Sequence, residues 1–284
     1  MNELIKNPNK VIFVDWGIFL HRSVFAWAKL QTGIPPQYTA LNMMMSNLKM
    51  IGIQPDDDII VAIDGRGNWR KDVDPEYKAN RRAIRDKSGI DWGEQFQRFN
   101  ELIERLKEGT PFHYIRIEKL EADDIIAVGV KLFSDRECII ISSDSDFEQL
   151  TAYKNVKLFS PVSKTYKVVD NPYKTISSKL KKEKTDNLLS PVLDESDFKR
   201  RHMLVSLLDL PEDIEKKALD RLTDLQYNSY DLSHIPFKSL QEKFLDIFNN
   251  EKPITFEKSL KTIDKKKKKK ARLKKNVYSN KKIL

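Results

Sequence analysis

Short apolar runs punctuate the first half of the chain, and each leads into carboxylates. Val11–Ile12–Phe13–Val14 ends at Asp15, Ile59–Ile60–Val61–Ala62–Ile63 ends at Asp64, and the run over 137–141 ends at Ser142–Ser143–Asp144. Brief unbroken apolar runs predict strands buried on both faces. Residues 113–117 predict a further strand. Between these runs the spacing becomes helical, over 18–30, 41–51, 92–106 and 122–133. In 92–106, Phe96, Phe99, Leu102, Ile103 and Leu106 share one side. Strands alternating with helices predict an α/β fold with a mostly parallel central sheet flanked by helices. Beyond about residue 169 the pattern turns helical, over 198–210, 213–222 and 238–248, after a polar, lysine-rich stretch at 174–185. The expected organisation is an α/β domain over 1–170, a smaller C-terminal helical domain over 171–262 and a basic tail over 263–284.

Charge sharpens this division. The net charge of the 284 residues is +9, and eleven Lys and Arg with no acid fall within 265–284, so the rest carries about −2. Such a run is either a solvated end or a polyanion-binding tail that acts by counterion release. No run reaches the roughly 18 apolar residues of a membrane span. The polar start, with Asp15 and His21 interrupting the apolar stretch behind it, does not fit a secretion signal. A single cysteine, Cys138, excludes a disulfide framework or thiolate metal cluster and fits a reducing compartment.

In a parallel sheet the strands point one way, so Asp15, Asp64 and Asp144 should meet at the edge where α/β sheets place ligands. Glu121–Ala122–Asp123–Asp124 opens a helix at the same edge, and Asp146 lies two residues beyond Asp144. Seven carboxylates then share one rim. Singly, each reads as a helix cap or a first-turn acid. Together they would repel unless cations neutralise them. All-oxygen donors favour magnesium or manganese, and two such ions about 3.5–4 Å apart serve phosphoryl chemistry. Asp15–Trp16–Gly17 carries no glycine-rich phosphate loop, which excludes a dinucleotide site. Gly17 also occupies the position where an aspartyl phosphatase needs a second acid. The four histidines are scattered, without metal-ligand spacing.

Arg66, Arg70, Lys71, Lys78, Arg81, Arg82, Arg85 and Lys87 form a basic stretch with Trp69 and Tyr77. It is either an exposed helix with solvated charges or a surface that holds phosphates while an aromatic stacks an unpaired base. Arg22, a helical turn past Asp15, is likewise a phosphate contact or a surface arginine.

The order Val14–Asp15, Ala62–Ile63–Asp64–Gly65, Glu76–Tyr77–Lys78–Ala79–Asn80–Arg81, Glu121–Ala122–Asp123–Asp124 and Ser142–Ser143–Asp144–Ser145–Asp146 resembles the 5′-nuclease family of flap endonucleases and 5′-3′ exonucleases, nearest its T-even bacteriophage ribonuclease H branch. The likeness covers roughly 10–165 well and is weaker beyond. It implies a PIN/5′-nuclease-like fold with an arch segment at about 66–90 and a DNA-binding helical half. It also implies two Mg2+ ions, replaceable by Mn2+. The first would be held by Asp15, Asp64, Glu121, Asp123 and Asp124, the second by Asp144, Asp146, Glu183 and Asp186. The family pattern Gly-Asp-x-x-Asp-Asn stands here as Lys182–Glu183–Lys184–Thr185–Asp186–Asn187, with glycine and the first aspartate replaced. Asp194 and Asp197 have the same spacing but fall at a later helix.

The resemblance further implies that Lys78 and Arg81 stabilise the scissile phosphate, with Tyr77 stacking and Arg22, Arg70 and Arg82 as substrate contacts. The implied activity is 5′-3′ exonuclease and 5′-flap endonuclease hydrolysis of RNA–DNA and DNA duplexes, removing RNA primers in phage-type replication. Implied partners are duplexes with 5′ ends or flaps and a single-strand-binding protein or sliding clamp. The default is a monomer without membrane contact, in the cytoplasm of an infected bacterial host. Two readings stand beside it: a PIN-type endoribonuclease, and a weak or inactive branched-DNA-binding protein of the same fold, which the change to Glu183 would favour.

Overall fold

The chain enters the sheet at its centre. In the computed structural model, which describes residues 9–181, 184, 186–188, 191–227, 229–250 and 252–261, Val11–Asp15 forms β1. It is followed by β2 (Asp58–Ile63), β3 (His113–Arg116), β4 (Cys138–Ile141), β5 (Val156–Ser160) and β6 (Thr165–Tyr166). Glu183 and the lysine-rich tail lie outside the described residues. The sheet order is β3-β2-β1-β4-β5-β6. The first five strands are parallel, and β6 runs antiparallel to β5. Val14 pairs with both Val61 and Ile141, so the ends of β1, β2 and β4 fall within two residues of one another. Strand order reverses at β1, the position where such sheets open a crevice.

The helices are α1 (Trp16–Leu30), α2 (Pro36–Ile51), α3 (Arg70–Val73), α4 (Asn80–Asp86), α5 (Trp92–Gly109), α6 (Ala122–Leu132), α7 (Lys174–Lys181), α8 (Glu195–Val205), α9 (Glu212–Thr223) and α10 (Lys238–Asp246). Short 3-10 turns lie at Asp146–Ala152 and Leu232–His234. Alternate strand residues face opposite ways, as the pleat requires. Ile12, Val14, Ile59, Val61, Ile139 and Ile141 pack toward α1, α2 and α5, with Leu240 and Phe244 of α10. Val11, Phe13, Ile60, Ala62 and Ile140 pack toward α6, with Ile214, Ala218 and Leu222 of α9. Helices α9 and α10 therefore lie against the two faces of the sheet. A third, small cluster joins Tyr77 to Ile176, Leu188, Leu204 and Val205. Gly129 lets α6 approach β1 closely, since a Cβ there would stand 2.4 Å from the Phe13 ring.

The stretch at 174–185, read from sequence only as polar, contains α7, with Ile176 and Lys179 buried three residues apart. Among the described residues no helix is long and apolar enough to cross a membrane.

Candidate active site

The rim acids are held by the ends of the strands. Asp15 caps α1: its Oδ1 accepts the Gly17 N–H at 3.1 Å and its Oδ2 the Ser142 hydroxyl at 2.7 Å. Ser142 follows β4 directly, so β1 and β4 are tied at their ends. After β2 the chain passes tightly beneath the 117–120 loop. Gly65 is required there, because a Cβ would come within 1.9 Å of the Ile117 carbonyl, and its N–H donates to the Leu120 carbonyl at 2.8 Å. This places Asp64 at the start of α6, where its Oδ1 accepts the Ala122 N–H at 2.9 Å. Asp144 accepts the Asp146 N–H at 3.0 Å. Asp15, Asp64, Glu121, Asp123 and Asp144 line one cavity of about 380 Å³ with Arg22, His21, Lys78 and Arg81. A neighbouring cavity of about 690 Å³ shares Asp64, Lys78, Arg81 and Glu121 and runs on past Arg66, Lys71, Arg85, Arg116, Phe25 and Trp92.

Charge is distributed unevenly along this rim. Lys78 Nζ donates to Glu121 Oε1 at 2.8 Å, and Arg70 Nη1 to Glu121 Oε2 at 3.2 Å. Burial alone would push Glu121 up, but the Lys78 and Arg70 charges outweigh it and hold this carboxyl at about 2. Among the described residues no Lys or Arg pairs with Asp15, Asp64, Asp123 or Asp144. Burial, with the Asp64 and Asp144 charges, pushes Asp15 up to about 7 against its two hydrogen bonds. Burial and the Glu121 charge push Asp123 up as well, and its Oδ1 is buried without a hydrogen-bond partner.

Like charges repel, and among the described residues no three His, Cys, Asp or Glu side chains stand close enough to hold an ion without moving. The donor set still fits a hard divalent cation: carboxylate oxygens only, short of positive charge, with the unpartnered Asp123 oxygen among them.

Several sequence expectations change. Asp124 is fully buried and does not face the cavity. Its carboxylate takes Arg70 Nη2 at 2.7 Å, Arg70 Nη1 at 3.1 Å, the Trp69 indole N–H at 3.0 Å and the Glu121 N–H at 2.9 Å. These partners fill its acceptor capacity, which leaves no place for a metal ion. Arg70, 1% exposed and also bonded to the Leu204 carbonyl, is a buried brace and not a substrate contact. Tyr77 is 3% exposed, and its ring lies in the third cluster, so it offers no face to a base. The cause is local: Lys78 N–H donates to the Asp186 carbonyl, Asn80 to the Lys184 carbonyl and Asn187 to the Glu76 carbonyl, which zips 76–80 onto Lys184, Asp186 and Asn187. Lys78 adopts φ 55° at this junction, a left-handed conformation rare for a side chain of its size.

Arg22 is exposed and lines the cavity; Arg82 is exposed but lines neither cavity. Asp194 caps α8, and Asp197 pairs with Arg200 and Arg201, so this acid pair is structural. Around Asp146 and Asp186 the structure shows a residue that sequence reasoning missed. Lys179 Nζ lies 2.7 Å from Asp146 Oδ2 and 2.5 Å from Asp186 Oδ2. The available signal was its spacing from Ile176, which puts both on one helix face.

A family model described as 5′-3′ exonuclease, N-terminal resolvase-like domain, matches residues 10–200. The ribonuclease H of Enterobacteria phage T4 is 32% identical over 238 residues, 76% of this chain and 77% of that one. The exonuclease of Escherichia phage T7 is 38% identical over 96 residues, 32% of this chain and 29% of its own. Among solved structures, a bacteriophage T5 flap endonuclease complexed with DNA and metal ions superposes with a TM-score of 0.54 at 19% identity. It covers 85% of this chain and 100% of that chain, a likeness of fold. On the match over 10–200 and the T4 relationship, the chain belongs to the 5′-3′ exonuclease family of nucleases.

Proposed function

We propose that this chain is a divalent-metal-dependent 5′-nuclease that hydrolyses phosphodiesters at 5′ ends and 5′ flaps of DNA and RNA–DNA duplexes. One observation carries the reading: Asp15, Asp64, Asp123 and Asp144, which have no ion-pair partner among the described residues, share one cavity with Lys78 and Arg81. The acids would hold Mg2+, with Mn2+ as a substitute. When bound, the ion supplies positive charge to the phosphate and lowers the pKa of the attacking water. Lys78 is fixed by its left-handed backbone and by Glu121, with its side chain 12% exposed, so its ammonium is presented in a desolvated wall. Arg81, 44% exposed and loosely held by Asp186 at 3.4 Å, is free to turn toward a phosphate. Arg66, Lys71, Arg85 and Arg116 continue the positive wall along the neighbouring cavity, where exposed Phe25 supplies apolar surface for unpaired bases. The name ribonuclease H of the T4 relative is in keeping with RNA-containing substrates, and removal of RNA primers in phage-type replication is the role this proposal assigns.

The test is cleavage of a 5′-labelled flap and of a nicked RNA–DNA duplex. Release of short 5′ products with magnesium, abolished by chelator and by Asp123→Asn, is the expected result. Folded wild-type protein that binds both substrates and cleaves neither would replace this reading with that of a branched-DNA-binding protein.

A further inference from the structure

Lys179 sits among acids that family resemblance would assign to a second metal ion. Its ammonium lies between Asp146 Oδ2 and Asp186 Oδ2, and the side chains of Lys179, Asp146 and Asp186 are 9%, 16% and 2% exposed. A surface lysine would pay a large entropic cost to hold such a position. Here the backbone on every side is already anchored. Lys179 belongs to α7, whose Ile176 is buried in the cluster with Tyr77, Leu188 and Leu204. Asp186 is fixed through its carbonyl, which accepts the Lys78 N–H at 3.1 Å. Asp146 opens the 3-10 turn at Asp146–Ala152. Arg81 adds a second positive charge on Asp186 Oδ1 at 3.4 Å. Asp186 is therefore already neutralised from within the chain, while among the described residues Asp15, Asp64, Asp123 and Asp144 have no ion-pair partner.

Without Lys179, Asp146 would lose its ion pair and Asp186 would keep only the longer contact to Arg81, a costly state for buried carboxylates. A divalent ion entering at Asp146 and Asp186 would have to displace an ammonium held by both carboxylates and would itself need to shed tightly held water. The ammonium is tethered, so its presence does not depend on metal concentration.

We propose that Lys179 takes the place of a second divalent ion, so that this chain binds one ion, at Asp15, Asp64 and Asp123, and carries the other positive charge of its cleft as a built-in ammonium. This inference rests on the metal-dependent reading above. An ammonium supplies charge and hydrogen bonds but no Lewis-acid coordination. Any Lewis-acid chemistry would then come from an ion held by Asp15, Asp64 and Asp123, and the Asp146–Asp186 side of the cleft would supply fixed charge alone.

The test counts ions on the full-length protein by Mn2+ titration, with bound ion read from the electron paramagnetic resonance signal and ion pairs from their dipolar coupling. The expected result is one Mn2+ per wild-type chain without coupling, and a second, coupled ion in Lys179→Met. Asp123→Asn should lose the single ion and Asp146→Asn should keep it. Two coupled ions on the wild type overturn the inference. So does a single ion lost in Asp146→Asn and kept in Asp123→Asn, or a folded Lys179→Met that still binds one. If Lys179→Met does not fold, the wild-type count and the two aspartate variants still decide. A wild type that binds no Mn2+ refutes the metal-dependent reading itself, which keeps the two failures apart.

Discussion

Arg70 and Asp124 form a two-pronged ion pair, Nη2 to Oδ1 at 2.7 Å and Nη1 to Oδ2 at 3.1 Å, with side chains 1% and 0% exposed. The pair joins α3 to the start of α6 and, through Arg70 Nη1, steadies Glu121 at the cavity wall. Removing one partner leaves a buried charge unpaired. Arg70→Ala should cost about 3–5 kcal/mol of stability, measured by urea unfolding. Arg70→Lys should also be destabilising, because an ammonium cannot reproduce the planar fork. Combining Arg70→Met with Asp124→Leu should recover part of the loss, since neither charge then remains. A double variant as unstable as the sum of the singles would contradict this coupling.

Arg81 and Arg82 are neighbours with different outlooks. Arg81 lines both cavities, while Arg82 is exposed and lines neither. Under single-turnover conditions Arg81→Ala should slow cleavage by about 10²-fold, the scale of losing one preorganised transition-state donor. Arg82→Ala should leave that rate nearly unchanged. Equal losses in the two variants would mean that general basicity of the 66–87 stretch, and not the position of Arg81, governs the rate.

The eleven positive side chains within 265–284 are unaccompanied by acid. Deleting them should weaken duplex binding most at low salt and flatten the dependence of log K on log salt by about 0.9 for each phosphate that the tail neutralises. Filter binding over a salt series measures this slope. A truncated protein with the full-length slope would show that the tail neutralises no phosphates.

The strand-end acids were legible in the sequence because period and punctuation agree: apolar runs of four or five residues stop at Asp15 and Asp64, and Gly65 marks the tight turn that follows. Helices α1, α5 and α6 were legible for the same reason. Strand β5 was not, since Val156–Ser160 is interrupted by Lys157, and β6 has only two residues. The misassigned residues are those whose polarity hides their burial. Arg70 reads as a substrate contact and Asp124 as a metal ligand until the two, 54 positions apart, are brought together, and Lys179 passes unnoticed in a polar stretch. Tyr77 read as a stacking platform because nothing nearby in sequence shows that Ile176, Leu188 and Leu204 cover it. Local pattern predicts elements, whereas charge pairing is decided by long-range packing.

His21 lines the cavity, its ring 5.2 Å from Trp92 and 6.3 Å from Phe96. Burial, reinforced by the Arg85 and Arg81 charges, lowers it from 6.5 to about 4. The folded protein therefore refuses a proton that the unfolded chain accepts near pH 6.5. The resulting stability is fully present above 6.5, is lost as pH falls, and is gone below about 4. Between pH 7.5 and 4.5 the loss should be on the order of 2 kcal/mol, from the linkage of proton binding to folding. Urea unfolding at the two pH values, with wild type and His21→Phe, measures it: the variant should show a smaller acid loss by about that amount. Ring-proton titration by NMR should place the His21 midpoint well below 6.5. A midpoint near 6.5 would mean that the ring is solvated and that its Trp92 and Phe96 contacts do not exclude the charged form. With the neutral ring, His21 contributes no positive charge near pH 7, and the cationic wall opposite the acids rests on Lys78, Arg81 and Arg22 alone among the residues of the smaller cavity.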